Sequence, residues 1–393
     1  ITISKCSARN TSTREGSNIM IRVLHIVGKM DRGGIETFLM NVYRNINREK
    51  IQFDFLTCAT ETPGDYDNEI LDLGGRIYQV PGRRQGWLGH LRKLHEFFKE
   101  HPEYSIVHAH VSSLTNVSVL RIARKYGIHC RIVHSHNTRQ GGSAIHKCLH
   151  RINQLTLATY ATDFFACSDL AAKWMYPKKQ YKEGRYCVIN NGIDTKNFAF
   201  NEDSRKEKRR QLGIEGKYVI GHIGRFHRQK NHHFLIDIFA ELKARDEDCV
   251  LLLIGDGELR TSIEKKVRDL GLTESVRFLG VRSDIPDLLQ AMDLFLLPSF
   301  HEGLPVVLVE AQTAGLRCCV SSAVSKEANI TNLVEFVNLE NSVEVWANAV
   351  LKNKNYLRKD TADVVTAKGY DITQIAEDLQ KWYEFKAKTD LQI

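Results

Sequence analysis

Short β-branched or leucine-rich runs recur along this chain. Each is followed by a loop of glycine, proline or polar residues and then by a segment of helical period. Ile21 to Val27 (IRVLHIV) leads through Gly28 to Gly34 into IETFLMNVYRNI. Tyr218 to Ile223 leads through Gly224-Arg225 into a helix from Asn231 or His232, and Asp293 to Leu297 leads through PSFHEGLP into VVLVEAQTAG. Apolar runs of this length without polar alternation fit strands buried on both faces, and the helices between them supply the crossovers that parallel strands need. The pattern predicts an α/β fold of doubly wound sheets. At 393 residues the chain exceeds what one core usually supports, so two domains are expected.

Leu294 to Gly315 (LFLLPSFHEGLPVVLVEAQTAG) carries the most chemistry. Pro298 and Ser299 break the apolar run, Pro305 is suited to start a helix and Gly315 to stop it. The first N–H groups of such a helix lack internal partners and lie at its positive pole, so the loop around Gly303, Leu304 and Pro305 is suited to a phosphate. Glu302 precedes the helix, and Glu310 sits about five residues in, ~7.5 Å along its axis. A carboxylate repels phosphate but accepts hydrogen bonds from hydroxyls. Phosphate flanked by two hydroxyl acceptors describes a nucleotide sugar. The competing reading is that both glutamates simply favour the first half of a helix.

Other features point the same way with less force. Arg225 and Lys230 lie five residues apart at a strand end beside a helix start, where two cations can neutralise a diphosphate; a solvated basic loop is the alternative. Gly255-Asp256-Gly257 ends another strand, but a lone GxG is weak. The Gly33-Gly34 pair opens a further strand-to-helix corner and would let a ligand approach the backbone, though it also suits a plain turn. It is not GxGxxG, so a dinucleotide cofactor is poorly supported. Ile106 to His110 and Cys130 to His136 each end in His-x-His, which places His108 with His110, and His134 with His136, on shared strand faces. Contact with substrate at the strand ends, a zinc site and a structural pair all remain open for them. Asp65-Tyr66-Asp67 is either a metal-holding DxD or a helix cap in a Pro/Gly turn.

The basic amphipathic segment Arg83 to His101 suits a membrane surface or packing on a sheet. Arg139 to Leu155, basic and opened by a glycine pair, reads as a loop and helix meeting an acceptor. Thr195 to Gly216 is charged and irregular, the candidate linker. Ile372 to Lys386 is an amphipathic helix suited to cross back to the first domain. Residues 1 to 19 are polar and aperiodic, a disordered lead or sequence foreign to the fold.

Charge is uneven. Residues 1 to 195 hold 27 Lys and Arg against 17 Asp and Glu, net +10, whereas residues 196 to 393 hold 28 against 30, net −2. A basic first half suits an anionic membrane or acidic acceptor, and no nucleic-acid-reading motif accompanies it. No apolar stretch approaches the ~18 residues of a membrane span. The nine cysteines include no CxxC pair, which fits a reducing cytoplasm better than a disulfide framework or zinc site.

Over about residues 20 to 386 the chain resembles the family 4 retaining glycosyltransferases of GT-B fold. The resemblance is carried by Glu302 and Glu310 in an E-x7-E pattern, by GRFHRQKN at Arg225 and Lys230, by GGIE at Gly33 to Glu36, by HSHN at His134 to Asn137, and by NNGID at Asn190 to Asp194. The surrounding wording is similar to the bacterial exopolysaccharide and capsule transferases of that family. The resemblance implies two Rossmann-like domains around an interdomain cleft: residues 20–195 on the acceptor side, 196–365 binding the donor, and 366–393 a helix crossing back. It implies His134 and Glu302 as catalytic residues. The implied donor set is Gly33, Gly34, Arg225, Lys230, Asp256, Ser299, Gly303, Leu304, Pro305 and Glu310, with Glu36, His110, His136, Asn137 and Arg139 on the acceptor side. Arg225 and Lys230 would hold the diphosphate, Gly34 its phosphate side, Glu302 the sugar hydroxyls and Glu310 the ribose. The implied reaction is metal-independent and retaining, needs no cofactor, and moves a sugar from a UDP-sugar to a lipid-linked saccharide or glycan at the inner face of the cell membrane. Gly-Leu-Pro follows Glu302 where many relatives have G-F-G, which leaves the donor sugar open. A nucleotide-sugar 2-epimerase and a non-catalytic nucleotide-sugar-binding partner subunit are the alternatives.

Overall fold

A computed structural model of the chain describes residues 20–59, 62–138 and 143–390. The lead at 1–19 and Arg139 lie outside the described residues. The chain divides into two compact units: residues up to Gly192 together with those from Ile372 onward, and Ile193–Asp371.

In the first unit the strands are β1 (Ile21–Ile26), β2 (Ile51–Cys58), β3 (Arg76–Val80), β4 (Ile106–Val111), β5 (Cys130–Ser135), β6 (Asp163–Ala166) and β7 (Cys187–Val188). The helices that bear on function are α1 (Gly34–Asn45), α2 (Trp87–Glu100) and α3 (Ala144–Tyr160). Among the described residues these strands form one parallel sheet, ordered β3-β2-β1-β4-β5-β6-β7. Both faces are covered, which is why the strands read as unbroken apolar runs. Val23, Phe53, Phe55, Ile106 and Ile132 face one core, while Leu24, Leu56, Val107 and Val133 face the other.

The second unit repeats the plan. Its first long helix, α4 (Glu202–Leu212), lies in the segment expected as a linker. Asn201 caps its start and Gly213, at φ 61°, ends it in the left-handed region. Two of the charges that suggested a solvated linker point inward: Arg205 pairs with Asp293 at 2.5 Å, and Arg209 donates to Ala291 O at 2.8 Å and to Asp293 at 3.1 Å. Next come β8 (Tyr218–Ile223), α5 (His232–Arg245), β9 (Cys249–Ile254), β10 (Val276–Gly280), β11 (Leu294–Leu297), α6 (Val306–Thr313), β12 (Arg317–Ser321) and β13 (Val334–Val337). The sheet is parallel, ordered β10-β9-β8-β11-β12-β13.

The last helix, α7 (Ile372–Asp390), belongs to the first unit, where Ile372, Ile375, Leu379, Trp382 and Tyr383 join the core that also holds α1. Among the described residues no helix is long and apolar enough to cross a membrane.

Candidate functional site

Each sheet reverses its strand order beside its first strand, between β1 and β4 in one unit and between β8 and β11 in the other. Loops leaving the carboxyl ends of two such strands diverge and leave a crevice where ligands of open α/β sheets bind. In the second unit these two loops are Gly224 to Asn231 and Pro298 to Pro305. They contain Arg225, Lys230, Ser299, Glu302, Gly303, Leu304 and Pro305.

The two loops are tied together. Phe300 N–H donates to Gln229 O at 2.9 Å, Asn231 Nδ2 to Pro298 O at 3.1 Å and Gln229 Nε2 to His301 O at 2.9 Å. Lys230 Nζ donates to Glu302 Oε1 at 2.7 Å, and Gln229 Nε2 donates to Glu302 Oε2 at 3.3 Å. Only 17% and 9% of the Lys230 and Glu302 side-chain surfaces remain exposed, so this pair is less screened than a surface salt bridge. Asn231 turns the chain into α5 at φ 57°, a conformation asparagine tolerates better than most residues. Gln229 was not singled out in the sequence, and Asn231 only as a possible helix start. An asparagine directly before a helix, next to a cation, was the available signal.

Arg225 is exposed, and its guanidinium has no partner among the described residues. Pro305 caps α6, whose first turn points its N–H groups back over Gly303 and Leu304. Ser299 is fully buried and its hydroxyl has no partner among the described residues. Glu310 is the fifth residue of α6. It keeps some exposed surface, yet protein crowds it so closely that burial pushes its pKa from 4.5 to about 7. Its carboxyl has no hydrogen-bond or ion-pair partner among the described residues. Asp256 is otherwise engaged: its carboxylate accepts from Gly257 N–H at 2.7 Å and faces Arg260 at 3.1 Å. Its backbone serves the site more directly, because Phe226 N–H donates to Asp256 O at 2.9 Å. Gly255, at φ +129°, lets that loop lie against the first one: a Cβ there would stand 2.2 Å from Gly224 O.

Two fully buried histidines, His222 on β8 and His232 on α5, lie beneath these loops. The imidazoles are 4.7 Å apart, and His232 stacks on Phe226 at 4.2 Å. Burial, aided by the neighbouring Lys230 charge, holds both pKa values below the usual histidine range, so both rings are neutral.

In the first unit Gly33 precedes α1 and Gly34 begins it. A Cβ on Gly33 would lie 2.3 Å from Glu36 Oε2, so the Glu36 carboxylate curls back over the helix start. Burial raises its pKa, against the pull of its own backbone N–H. The corner expected to meet phosphate at Gly34 therefore already faces a carboxylate.

Both His-x-His pairs, joined by His25 of β1, form a buried cluster. His108 Nδ1 meets the Tyr383 hydroxyl at 2.7 Å, and His108 Nε2 meets His134 Nδ1 at 3.2 Å. His25 Nδ1 meets His110 Nε2 at 3.0 Å, and His110 Nδ1 meets His136 Nε2 at 2.9 Å. His134 is 0% exposed, whereas His136, at the strand end, is partly exposed. Burial holds all five rings far below the usual range. His25, His108 and His110, and likewise His110, His134 and His136, bring nitrogens within 4.8 Å of one another, the spacing a metal would need. The nitrogens that bind each other account for most of that proximity, and among the described residues no carboxylate joins either trio. Asn137 Oδ1 accepts from Thr138 N–H at 2.8 Å. Asp65 and Asp67 accept from backbone N–H groups, of Arg32 at 3.1 Å and of Gly64 at 2.8 Å, and the helix that starts at Asp67 has no side-chain cap hydrogen bond.

The family model described as Glycosyl transferases group 1 matches residues 204–363, and that described as Glycosyltransferase Family 4 matches residues 32–197. The chain is 35% identical over 381 residues to the putative glycosyltransferase EpsF of Bacillus subtilis (strain 168), covering 94% of this chain and 98% of that relative. It is 27% identical over 389 residues to the UDP-Gal:alpha-D-GlcNAc-diphosphoundecaprenol alpha-1,3-galactosyltransferase of Escherichia coli, covering 92% and 96%. Among solved structures, Anabaena HepE in complex with UDP matches with TM-score 0.73 at 20% identity, over 95% of this chain and 100% of that one. WaaG, a glycosyltransferase involved in lipopolysaccharide biosynthesis, matches with TM-score 0.65 at 18% identity, over 92% and 99%.

Proposed function

The chain belongs to the family 4 glycosyltransferases, on the GT-B fold, and from that premise we propose that it moves a sugar from a UDP-sugar to a lipid-linked saccharide in bacterial surface polysaccharide synthesis, with retention at the anomeric carbon and without a metal. The observation that carries this reading is the gathering of Arg225, Lys230, Glu302 and the α6 N-terminus in two tied loops at the sheet's reversal point.

In the proposed reaction Arg225, Lys230 and the N–H groups around Gly303 to Pro305 hold the donor diphosphate. Glu302 accepts from sugar hydroxyls and Glu310 from the ribose. As the bond from the anomeric carbon to the phosphate oxygen breaks, these cations and dipoles stabilise the charge gathering on the diphosphate. The acceptor oxygen bonds the same face of the carbon, and its proton passes to a diphosphate oxygen. Two side-chain cations and a helix pole supply the positive charge that a divalent ion would otherwise provide, which supports metal independence. On the acceptor side, the partly exposed His136 stands in front of the covered His134, and we assign His136 the direct contact.

Membrane association has support of its own. On α3, Ile145, Ile152 and Leu155 are 71%, 52% and 82% exposed, with exposed Lys147 and Arg151 beside them. On α2 the inner residues Leu94, Phe97 and Phe98 are buried, while Trp87 and Leu88 remain exposed. Apolar side chains among cations suit an anionic bilayer surface.

A thermal-shift panel of UDP-, GDP- and ADP-sugars tests the donor assignment, because a cognate donor stabilises by mass action. UDP-sugars should raise the melting temperature and the others should not. Transfer to a polyprenyl-diphosphate saccharide in excess EDTA, with the product anomer read by NMR, tests the remainder. An inverted product or loss of turnover in EDTA would refute those parts.

A further inference from the structure

His222 donates from Nδ1 to Leu296 O at 2.8 Å. A carbonyl oxygen only accepts, so Nδ1 carries the proton. The ring is neutral, which leaves a lone pair on Nε2. That atom is buried and has no partner among the described residues. Its neighbour is the Lys230 stem: the point where a Gly224 Cβ would stand lies 3.3 Å from His222 Nε2, 3.1 Å from Lys230 Cε and 3.2 Å from Lys230 Cδ. The Lys230 ammonium has three donors, and the structure shows one of them on Glu302. Under the proposed function Glu302 must turn its oxygens to sugar hydroxyls, which weakens its hold on Lys230.

We propose that His222 is a positioning residue for Lys230: its Nε2 lone pair accepts a hydrogen bond from the ammonium when a nucleotide sugar engages Glu302, and so aims the remaining N–H groups at the diphosphate. This rests on the donor reading above and adds to it a buried acceptor beneath the cation. The role suits a ring with no exposed surface, since it acts through Lys230 and touches no substrate. It also explains why glycine precedes Arg225. A side chain at 224 would crowd both the lysine stem and the imidazole.

The test is a double-mutant cycle, read by calorimetry in the absence of acceptor, on affinity for the UDP-sugar that the thermal-shift panel identifies, using His222→Phe, Lys230→Met and the double variant. His222→Phe should weaken that UDP-sugar about tenfold, and in the Lys230→Met background it should have no further effect. A purely structural role for His222 would weaken binding equally in both backgrounds, and that result overturns the proposal. In parallel, with 15N-histidine labelling, the His222 Nε2 resonance should start as an unprotonated nitrogen. On saturation with UDP-sugar it should move toward the hydrogen-bonded range in the wild type and stay still in Lys230→Met. An unmoved resonance in the wild type also overturns the proposal. If wild-type protein binds the UDP-sugar but the cycle shows no coupling, only this inference fails. If it binds no UDP-sugar, the donor reading fails and the inference with it.

Discussion

Replacing Glu310 with glutamine removes a carboxyl that the fold holds at a cost. Burial pushes its pKa from 4.5 to about 7, with no partner among the described residues to offset it. A raised folded pKa means that the native protein favours the protonated form. The associated stability is complete below pH 4.5 and falls as pH rises toward 7, because the unfolded chain ionises first. Each pH unit in that gap is worth about 1.4 kcal/mol, so the whole gap comes to about 3 kcal/mol after discounting for partial exposure. Glutamine has nearly the same shape and never ionises. Glu310→Gln should therefore match the wild type near pH 4.5 and exceed it by about 3 kcal/mol at pH 8, a rise of roughly 6–12 °C in the melting of the second unit. Melts at pH 5 and pH 8 measure this directly. UDP affinity supplies the functional half: as a carboxylate Glu310 accepts twice from ribose, so wild-type affinity should climb as pH passes 7, while the variant binds more weakly and lacks that step. A stability difference that is flat across this range would refute the desolvation argument. An unchanged UDP affinity would refute the ribose assignment.

Glu302→Gln should separate binding from turnover. It releases Lys230 and removes a negative charge beside the diphosphate, so UDP, which lacks the sugar, should bind about tenfold tighter, ~1.4 kcal/mol, while transfer falls by at least ~100-fold. Weaker UDP binding would contradict the pairing argument. Arg225→Ala should leave urea stability within about 0.5 kcal/mol and weaken UDP roughly tenfold, since the guanidinium has no protein partner among the described residues. Gly255→Ala should destabilise the second unit by about 2–4 kcal/mol, from positive φ and collision with Gly224 O; a neutral result would contradict the backbone geometry. Ile152→Glu with Leu155→Glu should leave the melting temperature alone yet abolish sedimentation with phosphatidylglycerol vesicles, and retained co-sedimentation would count against the α3 surface.

Much of the architecture was legible because parallel strands covered on both sides leave an unmistakable trace. Tyr218–Ile223 was read to the residue, and the loop after it announced itself through glycine. What failed to show were contacts between residues far apart in sequence. Lys230 and Glu302, 72 positions apart, were both identified, but nothing local said that they hold each other. The helix Glu202–Leu212 was mistaken for a linker because its arginines look solvated until Asp293 and the carbonyls before it appear as their partners. His25 went unnoticed as a lone polar residue in an apolar strand, and only the sheet order, which sets β1 beside β4, brings it against His110. The Glu36 carboxylate over its own helix start was likewise invisible, since GGIE reads the same whichever way that side chain folds.

The ties between the Gly224–Asn231 and Pro298–Pro305 loops bear on how such enzymes can be re-engineered. A chimaera that imports only the glutamate segment from a relative keeps the host's Gln229 and Asn231 facing foreign carbonyls, and the graft inherits a misaligned cation. The two segments constitute a single exchangeable cassette, and swapping both together is the route to a new sugar preference.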